Sequence, residues 1–290
     1  MRILVLGPAE GWHAEQLRQA SNRFGCSIEF ASYETLNAAP RTGQSHAASC
    51  EAGNISQFDA VLSRTMPRGT LEQITFRLSI LHALVRSGVK VINAPSAMEL
   101  AIDKYATTSV VAQLGYDVPS TAVSQTRADA MESFTELGGD VVVKPLFGGE
   151  GRGVMRVQSH ELAWTTFTTL QQLGAVIYLQ EFVGPGGRDL RLFVVGENVW
   201  AIERSNQDDW RTNVSQGGQV RSVAITAEQR EIALQICRSM GLAIAGVDLI
   251  FDPAGKAYVL EVNAVPGWKG TQSVVAENLA EQMIEHIARL

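Results

Sequence analysis

The chain is poor in cysteine, in histidine and in long apolar runs, and each shortage closes off a class of function. Three cysteines, Cys26, Cys50 and Cys237, stand far apart with no CxxC pair. An odd, dispersed set gives neither a disulfide framework nor a zinc knuckle, and it fits a reducing compartment. The five histidines, at 13, 46, 82, 160 and 286, are scattered as well. No Ser–His or Cys–His set points to a covalent nucleophile, and no histidine is assigned a role. No apolar stretch approaches the roughly 20 residues of a membrane span. The opening MRILVLGPAEGWH is too short an apolar run for a signal peptide. A cytoplasmic protein with no membrane partner is therefore expected. Two phosphate-binding signatures are missing too: no GxGxxG follows the first strand, and no GK[ST] occurs in the glycine-rich loop. With 24 Lys and Arg against 30 Asp and Glu, the net charge is −6. That argues against a broad basic face, so no nucleic-acid partner is expected.

What is present belongs to a globular enzyme-sized protein. Hydrophobic residues make up 46% and charged residues 19% of 290, enough for a sizeable core. At roughly 100–200 residues per domain the length suggests two domains, or one with subdomains. Over the first hundred residues, strands at 2–6, 27–30, 60–62 and 89–92 alternate with helices at 13–24 and 70–87, which predicts a parallel α/β sheet. Residues 37–54, rich in Ala, Ser, Gly and Thr, read as a loose surface connection. At Pro95 the pattern changes. Ser96 and Glu99 match a capping box, and helix continues towards Leu114 and Gly115. Strands then dominate (118–123, 140–145, 153–158, 176–183, 190–195, 198–204, 246–251, 257–262), with helices near 127–137, 160–173 and 226–240. Hairpin turns at Gly196-Glu197-Asn198 and at Asp252–Gly255 complete an α+β region.

Three segments carry chemistry. In VVVKPLFGGEGRGV an apolar strand delivers Lys144 to a loop containing Gly148, Gly149, Glu150, Gly151 and Gly153. Glycine lets backbone N–H groups approach a phosphate, and the ammonium suits its oxygens. In the last hairpin Asp248 faces the strand of Glu261 and Asn263. These two are two residues apart and share a face. A turn centred on Pro253-Ala254 sets Asp248 opposite Val259 and diagonal to Glu261, roughly 7–8 Å apart. Two carboxylates and an amide are hard oxygen donors suited to magnesium. Between these segments, Gln180-Glu181-Phe182-Val183 ends an apolar strand whose peptide groups could read an adenine edge. Asp189 and Arg191 share one face of the next strand, and Arg204 and Arg211 follow. Arginine forks bind phosphate or carboxylate.

Taken in order, INAPSAMELAIDKYATTSVVAQLG, VVVKPLFGGEGRGV, LQEFVGPGGRDLRLFVVGENVWAIERS, WRTNVSQGG, AGVDLIF and YVLEVNAVPGWKG resemble the RimK-like branch of the ATP-grasp superfamily from about Ser63 to Gly270. The resemblance implies an ATP-grasp fold, α/β plus α+β, in three parts. These are a parallel pre-ATP-grasp α/β domain at 1–95, a central subdomain at 96–183 and a C-terminal subdomain with the metal site at 184–290. It implies ATP as cofactor with Mg2+ (or Mn2+), two ions being expected. Lys104 and Lys144 would hold phosphates under the 148–153 loop. Gln180, Glu181 and Val183 would border adenine, Asp189 would bind the ribose, and Arg204 would belong to the same nucleotide site. Arg211 and Asn213 would lie near the acyl intermediate, and Asp248, Glu261 and Asn263 would bind metal. Thr212 stands where close relatives are expected to have serine. Arg64, Asn93, Arg191, Trp268 and Lys269 are candidates for substrate contact, Trp268 by stacking on a pterin-like ring and Arg64 by gripping a carboxylate.

The implied chemistry is amide formation through an acyl phosphate. L-glutamate would be added to a tetrahydromethanopterin-like cofactor or to a protein tail. A ligase acting on an amino-group carrier protein in lysine biosynthesis, or a non-catalytic ATP-binding module, is the alternative. Self-association as a homo-oligomer is also implied.

Overall fold

In the computed structural model, residues 1–290 are described except 41, 43–47, 150 and 213–217. The chain opens with β1 (Arg2–Leu6), α1 (Trp12–Arg23) and β2 (Ser27–Ala31). Short strands β3 (Asn37–Ala38), β4 (Ala48–Cys50) and β5 (Gly53–Asn54) follow, then β6 (Ala60–Ser63), α2 (Leu71–Arg86) and β7 (Lys90–Ile92). The first sheet has the order β2-β1-β6-β7 and is parallel throughout. Ile3, Leu4, Val5 and Leu6 are all fully buried, as a parallel strand covered on both faces requires. Residues 37–54 correct the reading of a loose connection: β3, β4 and β5 pair as a small antiparallel sheet. Strands of two or three residues are too short to show a period.

Helices α3 (Pro95–Ile102) and α4 (Lys104–Gln113) lead to β8 (Thr121–Ser124), α5 (Arg127–Glu136), β9 (Val141–Lys144), β10 (Met155–Val157), α6 (His160–Gln172) and β11 (Ile177–Glu181). The capping box expected at Ser96 and Glu99 is absent. Helix α3 starts two residues earlier, with Ala94 as N-cap, Pro95 in its first turn and no side-chain cap, because proline is already set for that position. The second sheet runs β10-β9-β11-β8 and is antiparallel. Val141, Val143, Ile177 and Leu179 pack against Phe134 and Phe167 of α5 and α6. The alternate positions, among them Lys144 and Gln180, are left for the opposite face.

The third sheet is built from β12 (Arg188–Val195), β13 (Asn198–Ser205), β14 (Gln219–Ser222), β15 (Ile244–Phe251) and β16 (Ala257–Asn263), in the order β14-β13-β12-β15-β16. Helix α7 (Ala227–Met240) covers it, starting from the Thr226–Gln229 capping box and ending at Gly241 in the left-handed region. Helices α8 (Lys269–Gln272) and α9 (Leu279–Arg289) close the chain. Entry to β12 needs two glycines. A Cβ on Gly186 would stand 2.9 Å from both Phe182 and Trp210, and one on Gly187 would stand 2.8 Å from the Asn206 carbonyl oxygen. One face of β12 is charged at its start (Asp189, Arg191) and apolar at its end (Phe193, Val195). The apolar end joins a core shared with β1, α1 and α9. The first and third sheets thus share apolar cores, whereas the second sheet has its own.

Asn93 stitches the first sheet to the third. Its Nδ2 donates to the carbonyl oxygens of Ile244 (2.7 Å) and Ala264 (2.6 Å), and its Oδ1 accepts from the N–H groups of Ala243 (2.8 Å) and Ile244 (3.0 Å). The expectation that Asn93 faces an acceptor is corrected: the amide is buried and fully used by backbone. Replacing it with alanine strands four buried polar groups, each costing about 1–3 kcal/mol less whatever water recovers. Asn93→Ala should lower stability by about 2–4 kcal/mol in urea denaturation. A loss below about 0.5 kcal/mol would refute the stitch.

Candidate active site

A cavity of about 610 Å³ opens between the second and third sheets. Its walls carry Lys104, Lys144, Gly149, Gly151, Gln180, Glu181, Val183, Asp189, Arg204, Arg211, Asp248 and Glu261, residues drawn from across 158 positions of sequence. The fold therefore collects most of the residues named from the sequence. Glu150 and Asn213 lie outside the described residues. Gly153 ends the loop against Pro145 rather than lining the cavity.

The second sheet supplies the cationic wall. Lys144, last in β9, donates to Gln180 Oε1 at 2.5 Å, and Gln180 Nε2 donates to Thr121 Oγ1 at 3.1 Å. Lys104 opens α4 and donates to the Gly148 carbonyl oxygen at 2.6 Å, so it already holds the glycine loop. Burial pushes the Lys144 ammonium down to about 8; Glu261 opposes that shift and Lys104 adds to it. Lys104 is lowered by burial too, against Glu261 and Asp103. Two partly desolvated ammonium groups side by side call for an anion between them. At the end of β11, the Glu181 and Phe182 N–H groups are engaged by the Ser120 and Asp140 carbonyl oxygens. The Val183 N–H has no acceptor among the described residues, which leaves it for a ligand edge.

The third sheet supplies a buried ladder of alternating charge. Arg204 donates to Asp189 from Nε (2.7 Å) and Nη2 (2.6 Å), and its Nη2 also lies 2.9 Å from Asp248 Oδ2. Arg191 grips the other side of Asp248 from Nε (2.7 Å) and Nη2 (2.6 Å). Thr212 Oγ1 donates to Asp189 Oδ2. Burial alone would raise the Asp248 carboxyl, but Arg191 and Arg204 outweigh it and hold it down at about 2. Burial alone would likewise lower Arg204, and Asp248 and Asp189 reverse that, raising it. Arg191 is thus clamped behind Asp248 and is not on the cavity wall, which corrects the expectation of substrate contact. Arg211 lines the cavity but turns to Asp209, with Nη2 to Oδ2 at 2.6 Å.

The register of the final hairpin differs from the sequence count. Asp248 pairs directly with Glu261, and Leu249 pairs with Val259. Leu260 is the extra residue of a β-bulge and lines the cavity. The bulge brings the two carboxylates from diagonal to directly opposed positions, Cα atoms roughly 4.5–5.5 Å apart. Turn counting cannot foresee a bulge. The donor set fits a hard divalent cation. Glu261 has no hydrogen bond among the described residues and faces the cavity. Asp248 sits opposite, and Asn263 shares the face of Glu261. Its Nδ2 is buried without a partner. Among the described residues no group of three His, Cys, Asp or Glu is placed to hold a metal ion.

Two remaining candidates lie elsewhere. Trp268 is 0% exposed, packed beside His13 (4.4 Å between ring centroids) and under Arg64 (4.7 Å). It is buried structure and cannot stack on an acceptor. Lys269 opens α8 and lines neither this cavity nor a second, smaller crevice. Arg64 lines that second crevice with His13, a histidine assigned no role from its sequence context.

The fold is that of the ATP-grasp ligases. The ligase PsnB, solved with a phosphomimetic variant of its minimal precursor, Mg and ADP, superposes with a TM-score of 0.77 at 19% identity, covering 99% of this chain and 98% of that one. A family model of the RimK-like ATP-grasp domain matches residues 101–287. A probable alpha-L-glutamate ligase of Parasynechococcus marenigrum is 30% identical over all of this chain, which spans 62% of that protein's length. The tetrahydromethanopterin:alpha-L-glutamate ligase of Methanosarcina acetivorans is 31% identical over 83% of each chain. The chain belongs to the RimK-like ATP-grasp family.

A pH test follows from Lys144. An ammonium whose folded pKa is depressed binds fewer protons in the native than in the unfolded state between about 8 and its ordinary value near 10.5. Stability from this group therefore rises as pH climbs through that window, and below about 8 the burial penalty is fully present. The ligand-free wild type should gain stability across this interval relative to Lys144→Met. Parallel stability–pH curves for the two would remove the lysine from a desolvated site.

Proposed function

We propose that this protein is an ATP-dependent carboxylate–amine ligase that adds L-glutamate to an acceptor carboxylate, on a tetrahydromethanopterin-like cofactor or a protein tail. The observation that carries this reading is the opposition, across one cavity, of the Lys104–Lys144 wall and the Asp248–Glu261 pair. An arrangement with cations on one side and hard oxygen donors on the other suits a polyphosphate with its metal. The names of the two relatives favour glutamate as the amine substrate.

The site residues take the following roles in this proposal. Lys104 and Lys144 hold the nucleotide phosphates, with the loop of Gly149, Gly151 and Gly153 above them. Gln180, Glu181 and Val183 border the base, the free Val183 N–H facing its edge. Asp189 and Arg204 flank the ribose, and Asp248, Glu261 and Asn263 hold Mg2+ or Mn2+, as one or two ions. Bound there, the metal supplies charge neutralisation for the β- and γ-phosphate oxygens.

An acceptor carboxylate oxygen attacks the γ-phosphorus, the bond from that phosphorus to the β,γ-bridging oxygen breaks, and ADP leaves. The glutamate amine then attacks the acyl carbon, the carbon–oxygen bond to phosphate breaks, and the amine loses a proton. Lys144, Lys104 and Arg211 stabilise charge spread over the transferring group. No protein nucleophile is required. A cytoplasmic location and self-association belong to the same proposal. Among the described residues no helix is long and apolar enough to cross a membrane.

Phosphate release from ATP and magnesium with glutamate should be stimulated by one of a panel of acceptors: reduced pterins, an acidic protein-tail peptide or an amino-group carrier protein. The product should be heavier by one glutamyl residue. Silence across the panel, with ATP bound, would favour a binding module. Glu261→Gln should cut turnover at least about 10³-fold with the fold intact, and normal turnover would sink the metal assignment. Lys144→Ala should weaken ATP binding at least about tenfold by equilibrium titration.

A further inference from the structure

Arg211 differs from the other cations of the cavity in how it is held. Lys104 and Lys144 donate to neutral oxygens, and Arg204 is locked between two buried carboxylates. Arg211 is paired with Asp209, two residues earlier, an acid to which the mechanism above gives no part. Asp209 Oδ1 accepts from the Arg211 backbone N–H (2.9 Å) and from Nε (3.1 Å), and Oδ2 accepts from Nε (3.1 Å) and Nη2 (2.6 Å). One carboxylate thus fixes the peptide N–H of the residue and the Nε–Nη2 edge of its guanidinium together. Of the five N–H groups of the fork, this takes one on Nε and one on Nη2. The two on Nη1 and the second on Nη2 have no acceptor among the described residues, and Arg211 lines the cavity.

The backbone around the pair is tied down independently. The Trp210 carbonyl oxygen accepts from the Gly187 N–H, and the Gly187 carbonyl oxygen from the Asn206 N–H, both at 2.8 Å. The Trp210 ring meets Phe182 edge-on, with centroids 5.8 Å apart, and Thr212 is bonded to Asp189. What these contacts leave loose is the long Arg211 side chain. The Arg211 and Asp209 side chains are 32% and 25% exposed. A pair so open to solvent contributes little to stability, so its value lies in orientation. The hydrogen bonds from Arg211 hold the Asp209 carboxyl below its ordinary range, which keeps it charged at neutral pH. An arginine held in place before its ligand arrives loses less rotamer freedom on meeting it. A donor aimed in advance at developing charge also needs no rearrangement during the reaction.

We propose that Asp209 is a positioning residue, holding the Nε–Nη2 edge of Arg211 so that the Nη1 edge is presented to the transferring phosphoryl group. The proposal rests on the reading of Arg211 as a stabiliser of charge on that group. Asp209 itself touches no reacting atom. Its removal leaves the charge of Arg211 in the cavity and frees its direction, which costs rate in preference to nucleotide affinity.

Turnover of ATP with magnesium, glutamate and the stimulating acceptor tests this in four proteins: wild type, Asp209→Asn, Arg211→Gln and the double variant. Asp209→Asn should lower kcat about ten- to a hundredfold, with KM for ATP and calorimetric ADP affinity within about twofold of wild type. In the Arg211→Gln background the same substitution should change kcat by less than about twofold, since there is no guanidinium left to aim. A merely structural Asp209 would instead shift ADP affinity and multiply its loss in both backgrounds, and either result would overturn the proposal. So would an unchanged kcat in Asp209→Asn, or a raised one, which would mean that the carboxylate stores the guanidinium away from the phosphates. Wild-type kcat in Arg211→Gln would remove Arg211 from the reaction, and silence of the wild type with every acceptor would remove the ligase reading; each takes the proposal with it. Impaired turnover in Arg211→Gln beside normal turnover in Asp209→Asn overturns the proposal alone.

Discussion

Asp248 is held between two guanidinium groups, and much of the site depends on how that charge is held. An isolated carboxylate as buried as this would take up a proton and lose its value as a hard donor. Arg191 and Arg204 keep it ionised by direct pairing, and Arg204 also pairs with Asp189. Three adjacent strands carry the ladder, β13 with Arg204, β12 with Asp189 and Arg191, and β15 with Asp248, so the sheet's register fixes the spacing of the charges. Removing a single rung would leave a buried charge without its partner, which costs far more than an exposed pair ever gains. The ladder thus links Asp189 to Asp248 through the one guanidinium of Arg204.

On the facing wall the logic is reversed. Lys104 and Lys144 repel one another and are pushed towards neutrality by burial. Glu261 opposes that push at both lysines, and Asp103 opposes it further at Lys104. Across the cavity, Asp248 is paired by two guanidinium groups, whereas Glu261 and the two lysines make no ion pair among the described residues.

Much of this was legible in the sequence because it rests on local patterns. The alternation that sends Val141 and Val143 to a core also sends Lys144 to the cavity, and period two places Glu261 with Asn263. What could not be read depends on contacts between distant segments or on irregular pairing. The Leu260 bulge moves Asp248 opposite Glu261 in a way no turn count predicts. Arg191 reads as a free fork until its cross-strand partner is seen. Asn93 and Trp268 look exposed and functional in isolation, yet one is consumed by backbone groups some 150 residues away and the other is sealed beneath Arg64. His13 carried no local signal. The apolar stripe Leu279, Met283, Ile287 of α9 did carry one, at helical spacing, and went unread.

The division of the hydrophobic interior has a mechanical consequence. The first and third sheets share cores and are sewn together at Asn93, so they form a single anvil. The second sheet, with α5 and α6, has a core of its own and meets the anvil mainly across the polar cavity. Beside the cavity the two bodies also touch through Phe182, just past β11, and Trp210, whose ring centroids lie 5.8 Å apart. Any occupant that bridges the Lys104–Lys144 wall and the Asp248–Glu261 pair would therefore tie two separately packed bodies together across the cavity.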